Sequence, residues 1–76
     1  MELEEKISRT LLQLRYQDPL ATLSKKEVAE EAGFTSRYYS KLESGQAMPS
    51  LRILDNIAKV YNIKLSDLVK LIEEQG

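Results

Sequence analysis

Apolar residues recur every three or four positions along nearly the whole chain, which is the spacing of amphipathic helices. The first stripe predicts a helix over about residues 2–16 and consists of Leu3, Ile7, Leu11 and Leu14. We expect Asp18-Pro19 to end this helix, because the residue before a proline is pushed out of the helical region. No segment shows the strict alternation of a strand over more than a few residues.

Two short helices are predicted in the middle of the chain. Ser24 and Glu27 have the spacing of a capping box, and Gly33 can take the left-handed conformation that closes the helix they open. The inner side of this second helix is Val28, Ala29 and Ala32. Thr35 is a good N-cap for a third helix that runs to about Ser44 and is closed by Gly45. Its inward residues are Tyr39 and Leu42.

Two more helices follow, and serines are predicted to cap both. The fourth begins after Ser50, and its apolar residues are Leu51, Ile53, Leu54, Ile57, Ala58 and Tyr61. The fifth is capped by Ser66 and carries Leu68, Val69, Leu71 and Ile72. The expected fold is all-α, with five helices in a single domain over residues 1–76. Its helix-turn-helix core lies at about 24–44, and helices 4 and 5 lie at about 50–74.

Composition excludes several kinds of chemistry. The 76 residues contain neither cysteine nor histidine, so disulfides, thiolate sites and the commonest general base are absent. The acidic pairs lack the fixed geometry of acid–base catalysis, and no spaced oxygens suggest a metal loop. We therefore expect a protein that is not an enzyme and needs no cofactor or metal. No apolar run approaches a membrane span of roughly 20 residues and no signal peptide is evident, so we expect a cytoplasmic protein.

Charge gives only local support for a nucleic-acid surface. The net charge is −1, whereas nucleic-acid binders usually carry a basic excess. Residues 22–53 contain five basic and four acidic side chains, so this region is only slightly basic. A DNA-binding surface in this chain has to be a local patch of positive charge.

The stretch from Lys25 to Glu43 is the informative one. A tight Gly33-Phe34-Thr35 turn sets two short helices at a steep angle, as in a helix-turn-helix. The segments LSKKEVAEEAGFTSRYYSKLESG and PSLRILDNIAKVYNIKLSDLV resemble the phage-repressor/Cro type (Xre-like) helix-turn-helix family over residues 23–69. The resemblance implies a compact lambda-repressor-like domain and a DNA-binding transcriptional regulator.

The resemblance also implies which residues meet DNA. Helix 3 corresponds to the recognition helix, which lies in the major groove. Arg37 is the strongest candidate for a base contact, because its planar fork matches guanine O6 and N7. The full set implied to contact bases or phosphates is Lys25, Thr35, Ser36, Arg37, Tyr38, Ser40, Lys41, Gln46 and Arg52.

Three further expectations concern the scaffold. In this family the carboxylate at Glu43 pairs with an arginine near the end of helix 1, and Arg15 is the candidate here. Tyr39 replaces the usual aliphatic residue of helix 3, and a buried tyrosine needs a partner for its hydroxyl. The loop from Tyr16 to Leu23 is longer than usual in the family.

A twofold homodimer is expected because helix 5 is apolar over more than one stripe. Its interface would comprise Tyr61, Ile63, Leu68, Val69 and Ile72. Such a dimer places two recognition helices about 34 Å apart and reads an inverted repeat.

The sequence favours a small regulator of bacterial or phage type. We expect it to bind double-stranded DNA in the nucleoid and to need no small-molecule effector. Whether it represses or activates, and which operator it reads, stays open. The alternative from another class is a protein–protein interaction module with the same fold, favoured by the near-neutral charge. RNA binding is a weaker alternative, since no aromatic stacking platform is evident.

Overall fold

Five α-helices make up the secondary structure of the described part of the chain. The computed structural model describes residues 1–17, 20 and 22–76. Over these residues it contains no strand. The helices are α1 (Leu3–Tyr16), α2 (Lys25–Ala32), α3 (Ser36–Glu43), α4 (Leu51–Val60) and α5 (Leu65–Glu73). The predicted helix stop at Asp18-Pro19 lies outside the described residues.

The predicted helix starts of α2, α3 and α4 are confirmed. The Ser24 hydroxyl accepts the Glu27 N–H at 3.1 Å, and the Glu27 carboxylate accepts the Ser24 N–H at 3.0 Å, which completes the capping box. Thr35 accepts from the Tyr38 N–H at 3.1 Å, and Ser50 caps α4 in the same way. These side chains satisfy N–H groups that a helix start otherwise leaves without partners.

The predicted start of α5 is wrong. The helix begins at Leu65, with Lys64 as its extended N-cap residue, so Ser66 lies inside the first turn. The Lys64 N–H donates to the Asp67 carboxylate at 3.4 Å. A carboxylate in the first turn is favoured by the helix dipole, so Asp67 supports a helix start before Ser66.

The core lies where all five helices meet. Its buried apolar residues are Ile7, Leu11, Leu14, Val28, Ala29, Ala32, Tyr39, Leu42, Leu54, Ile57, Ala58, Leu68 and Ile72. Leu51 was expected among them but is 68% exposed. It is the first residue of α4, and the neighbouring Arg52 is also exposed, so this first turn extends past the core.

The packing order leaves one side of α3 open. α2 packs against α3 and α4, α1 packs against α3 and α5, and α4 packs against α5. The inner side of α3 is therefore held by α1 and α2. Among the helices of the described chain, none is both long and apolar enough to cross a bilayer.

Candidate DNA-binding surface

The third helix divides its residues between a buried and an exposed face. All eight residues of α3 are described. Tyr39 and Leu42 are fully buried and Glu43 is 6% exposed, whereas Ser36, Arg37 and Lys41 are exposed. Residues three and four apart share a helix face, so Arg37 and Lys41 lie one turn apart on the outer side. Ser40 lies beside them and is half-buried.

A buried ion pair removes the only acidic side chain of α3 from this outer face. Arg15 Nε donates to Glu43 Oε2 at 2.7 Å, and Arg15 Nη2 donates to Oε1 at 2.9 Å. The two side chains are 8% and 3% exposed. The hydrogen bonds with Glu43 raise the pKa of Arg15 above its ordinary value. The expected Arg15–Glu43 pair is confirmed, and α3 presents only hydroxyls and positive charge to solvent.

The first helix holds this end of α3 in a second way. The Ser8 hydroxyl donates to the Glu43 backbone carbonyl, and Arg15 Nη1 donates to the Leu23 carbonyl at 3.3 Å. α1 is thus tied to the end of α3 and to the residue just before the α2 cap. Ser8 was not singled out from the sequence, because a serine in a helix gives no signal of a distant backbone partner.

The other predicted contact residues lie near the ends of α2, α3 and α4. Lys25 is the exposed first residue of α2, and Thr35 is the exposed N-cap of α3. Gln46 is exposed in the segment that follows α3, and Arg52 is exposed in the first turn of α4. Helix starts favour anions because their N–H groups and dipoles point outward. Lys25, Thr35 and Arg52 thus lie at three exposed helix starts, and their predicted phosphate contacts stay predictions.

Tyr38 is held by an aromatic neighbour. Its ring meets Phe34 edge to face with 5.5 Å between centroids, and the residue is half-buried. Phe34 also stacks on Tyr39 at 6.1 Å. The turn residue Phe34 therefore touches both sides of the first turn of α3. This packing fixes the ring of Tyr38, whose predicted phosphate contact stays a prediction.

Two exposed acidic residues, Glu30 and Glu31, lie in the last turn of α2. The Glu30 carboxylate lies 4.0 Å from the Lys26 ammonium. Glu31 lines a cleft between α2 and α4 together with Asn56 and Lys59. Both side chains belong to α2, so the exposed residues of α3 itself carry no acidic group.

The buried hydroxyl of Tyr39 lacks the expected partner. Within the described residues, the hydroxyls of Tyr39 and Tyr61 are both buried and make no hydrogen bond. Burial raises the pKa of Tyr39, and the nearby Glu43 carboxylate adds to the rise. Burial likewise raises the pKa of Tyr61. Glu43 and Tyr61 are the polar groups that interact with the Tyr39 hydroxyl, although neither meets hydrogen-bond geometry.

The residues predicted for a dimer interface separate into two groups. Leu68 is fully buried and Ile72 is 4% exposed, so the core of the single chain already covers them. The prediction that Leu68 and Ile72 lie in a dimer interface is therefore wrong. Tyr61, Ile63 and Val69 are only half-buried. A cleft of about 350 Å³ opens on this side, lined by Ile63, Asp67, Lys70, Leu71 and Glu74.

The described residues hold no group of three or more acidic, histidine or cysteine side chains placed to bind a metal ion. The surface built above is instead that of two short helices at a steep turn, the second with an outer face of positive charge and hydroxyls. This arrangement defines the class of helix-turn-helix domains.

Comparison with known proteins agrees with this class. A helix-turn-helix family model matches residues 20–68, more than half of the chain, and the chain belongs to this family. The fold is similar to the crystal structure of the clp gene regulator ClgR from Corynebacterium glutamicum, with a TM-score of 0.83 and 20% identity. That match covers 96% of this chain and 74% of the other. A comparison with curated proteins gives no match.

The family match bears out the resemblance to Xre-like helix-turn-helix proteins that the sequence motifs indicated. Together the two findings support a DNA-binding transcriptional regulator, a class whose members are typically not enzymes. The expected five-helix, all-α fold is confirmed over the described residues.

Proposed function

We propose that the protein is a sequence-specific regulator of transcription, a repressor or operon controller, that places α3 in the major groove of double-stranded DNA. The observation that carries this proposal is the outer face of α3. It combines exposed Arg37 and Lys41 with small hydroxyls, while Glu43 is buried beneath Arg15. Neither Arg37 nor Lys41 forms an ion pair with a described residue, so both are available to DNA.

Base readout is assigned to the N-terminal half of α3. Arg37 has the geometry to donate two hydrogen bonds to one guanine, which discriminates against a wrong base by about 1–3 kcal/mol. Lys41, one turn further on, reaches a second base or a phosphate. Ser36 and Ser40 are short hydroxyl donors and acceptors that leave room for close approach of the helix. Recognition helices of this kind dock with their N-terminal residues toward the bases.

Phosphate contacts are assigned to the surrounding helix starts. Lys25, Thr35, Tyr38, Gln46 and Arg52 fix the register of the domain on the duplex without reading sequence. Thr35 already accepts from the Tyr38 N–H, so its hydroxyl hydrogen is what it offers to a phosphate. Only Lys25 and Arg52 in this set carry charge, which predicts a shallow salt dependence of binding.

A homodimer is proposed to bring two such surfaces to an inverted repeat. Of the half-buried Tyr61, Ile63 and Val69, Ile63 lines the cleft whose rim carries Asp67, Lys70 and Glu74. A twofold interface pairs one patch with its own copy, so a rim with both charge signs can complement itself. The two recognition helices then lie about 34 Å apart, one turn of the duplex. We place this regulator in the cytoplasm of a bacterium, encoded by the host or a phage.

The test is duplex selection from a randomised pool, followed by fluorescence anisotropy with wild type and Arg37→Ala. We expect wild type to enrich an inverted repeat, and Arg37→Ala to lose preference at one symmetric position. The matched control is Arg9→Ala, because Arg9 is exposed on α1 and belongs to no predicted contact. It should retain the preference.

Two outcomes contradict the proposal. If wild type enriches no sequence and binds no duplex at low salt, the domain serves as a protein-interaction module, which its near-neutral charge favours. If wild type binds all duplexes equally and Arg37→Ala matches Arg9→Ala, the readout by α3 is wrong although DNA binding stands.

A further inference from the structure

The contact between α2 and α4 is not closed by apolar packing at the end that leads into the turn. A cleft of about 320 Å³ opens there, lined by Glu31, Ala32, Gly33, Asn56, Lys59 and Val60. The cleft is open to solvent, since Glu31 and Lys59 on its walls are exposed. A hydrogen bond across it would add to the apolar contact that buried Ala32 makes at this end of α2.

The turn itself satisfies two of the last four carbonyl groups of α2. Gly33 N–H donates to the carbonyls of Ala29 and Glu30 at 2.9 and 3.3 Å, and Phe34 N–H donates to Ala29 at 2.9 Å. These bonds close the helix locally, but they do not connect it to α4. The last carbonyl of α2, that of Ala32, instead accepts from Asn56 Nδ2 at 3.2 Å. Asn56 lies on α4, so this bond crosses the cleft.

We propose that Asn56 is a positioning residue that sets the angle of the recognition helix by fixing the end of α2 to α4. The inference rests on the proposed function of α3, and it adds to it a residue that does not touch DNA. Neither the side chain of Asn56 nor its bond to Ala32 lies on the outer face of α3.

The turn is the point at which a small displacement matters most. Gly33 has φ +86°, and no atom lies within 4 Å of the place where a Cβ would be. No neighbouring group therefore packs against this side of the turn. Phe34, the next residue, packs on both Tyr38 and Tyr39 and passes any movement to α3. A rotation of about 10° moves the far end of an eight-residue helix by roughly 2 Å. Hydrogen bonds to base edges do not tolerate such a shift.

The experiment uses Asn56→Ala and Asn56→Asp. Alanine removes the donor and keeps good helix propensity, which guards against a variant that fails to fold. Aspartate keeps the shape of the asparagine side chain. It faces the Ala32 carbonyl with a second acceptor and adds a second carboxylate to the cleft that Glu31 lines. The control is Lys59→Ala, which changes another residue of the same cleft and leaves the Asn56 bond intact.

Two quantities are measured at a temperature where all variants are fully folded by circular dichroism. One is hydrogen exchange of the Phe34 amide relative to the amides of α1. The other is the ratio of affinities for the selected duplex and a scrambled duplex.

We expect both Asn56 variants to lower Phe34 protection and the affinity ratio by about fivefold each, the effect of one lost hydrogen bond. Affinity for the scrambled duplex should stay within about twofold of wild type, because phosphate contacts alone carry it. Lys59→Ala should leave both measured quantities unchanged.

The inference is overturned if both Asn56 variants keep wild-type protection and ratio, or if Lys59→Ala lowers them equally. It is also overturned if protection falls while the affinity ratio holds, since Asn56 then secures the turn without affecting readout. If wild type prefers no duplex, the proposed function has failed instead. The exchange data then decide separately whether Asn56 fixes the turn.

Discussion

Arg15 and Glu43 lie 28 residues apart in the chain and join by two hydrogen bonds of 2.7 and 2.9 Å at the end of α3. Glu43→Gln would leave the Arg15 guanidinium buried without its counter-charge. We expect a loss of about 3 kcal/mol in the free energy of unfolding, which is typical when one partner of a buried pair is removed. Urea denaturation monitored by circular dichroism measures this loss.

The control for this variant is Glu30→Gln, because the Glu30–Lys26 pair is exposed and contributes little. A loss under about 1 kcal/mol for Glu43→Gln would mean that water reaches the pair and that α3 is not clamped by it.

Lys25→Ala tests the assignment of phosphate contacts. Lys25 is the exposed first residue of α2, where a helix start already favours an anion. We expect weaker binding to all duplexes alike, with a salt slope reduced by about 0.9. Anisotropy at four salt concentrations gives the slope. Lys26→Ala is the neighbouring control, and equal slopes for the two variants would remove Lys25 from the interface.

Ile63→Asp tests the proposed dimer. Ile63 is half-buried, packs against the edge of the core and lines the cleft beside α5, so a charge there opposes association and circular dichroism must first show that the variant is folded. We expect sedimentation to give a dimer for wild type and a monomer for the variant at the same micromolar concentration. The variant should also bind an inverted repeat more weakly, because the two half-sites are then bound separately. Leu12→Asp, on the exposed side of α1, should stay dimeric. A wild type that is monomeric at high micromolar concentration would contradict the twofold interface.

Tyr39→Phe tests the consequence of a buried hydroxyl without a described partner. At pH 7 we expect stability within about 1 kcal/mol of wild type, because no hydrogen bond is lost. Burial raises the pKa of Tyr39 above its ordinary value of 10.0. The neutral form is thus favoured in the folded protein, and this contribution is present below pH 10 and is lost as pH rises further.

Tyr39→Phe should therefore retain more stability than wild type above pH 10. Denaturant unfolding at pH 7 and pH 11 measures the difference. Tyr16→Phe, at an exposed position, should lose stability as wild type does. A large loss for Tyr39→Phe at pH 7 would show that the hydroxyl is held by a strong partner.

The cap residues and the buried pair could be predicted from the sequence because their signals are local or shared by a family. Ser24, Thr35 and Ser50 cap their helices as expected, and Arg15 meets Glu43. A capping serine acts through hydrogen bonds within three residues, so spacing alone identifies it. The prediction that Ser66 caps α5 is wrong because the helix begins earlier, at Leu65, where the Asp67 carboxylate accepts the Lys64 N–H.

Burial at helix ends and faces was harder to predict, because it depends on what packs across from each position. Leu51 continues the apolar stripe of α4 but lies beyond the core and is exposed. Leu68 and Ile72, which were expected at a dimer interface, are buried in the core of the single chain. Periodicity predicts which face turns inward but not how far the neighbouring helices extend. Asn56 shows the same limit, since its bond to Ala32 spans 24 residues and leaves no local pattern.

The buried and the exposed face of α3 consist of different side chains. Tyr39, Leu42 and Glu43, which hold the helix in place, are buried, and the side chains proposed to contact DNA are exposed or half-buried. Replacing Ser36, Arg37, Ser40 or Lys41 should therefore change the free energy of unfolding little, since exposed positions usually tolerate substitution. Under the proposed function, replacing these four side chains would change the operator that the domain prefers while the buried scaffold stays the same.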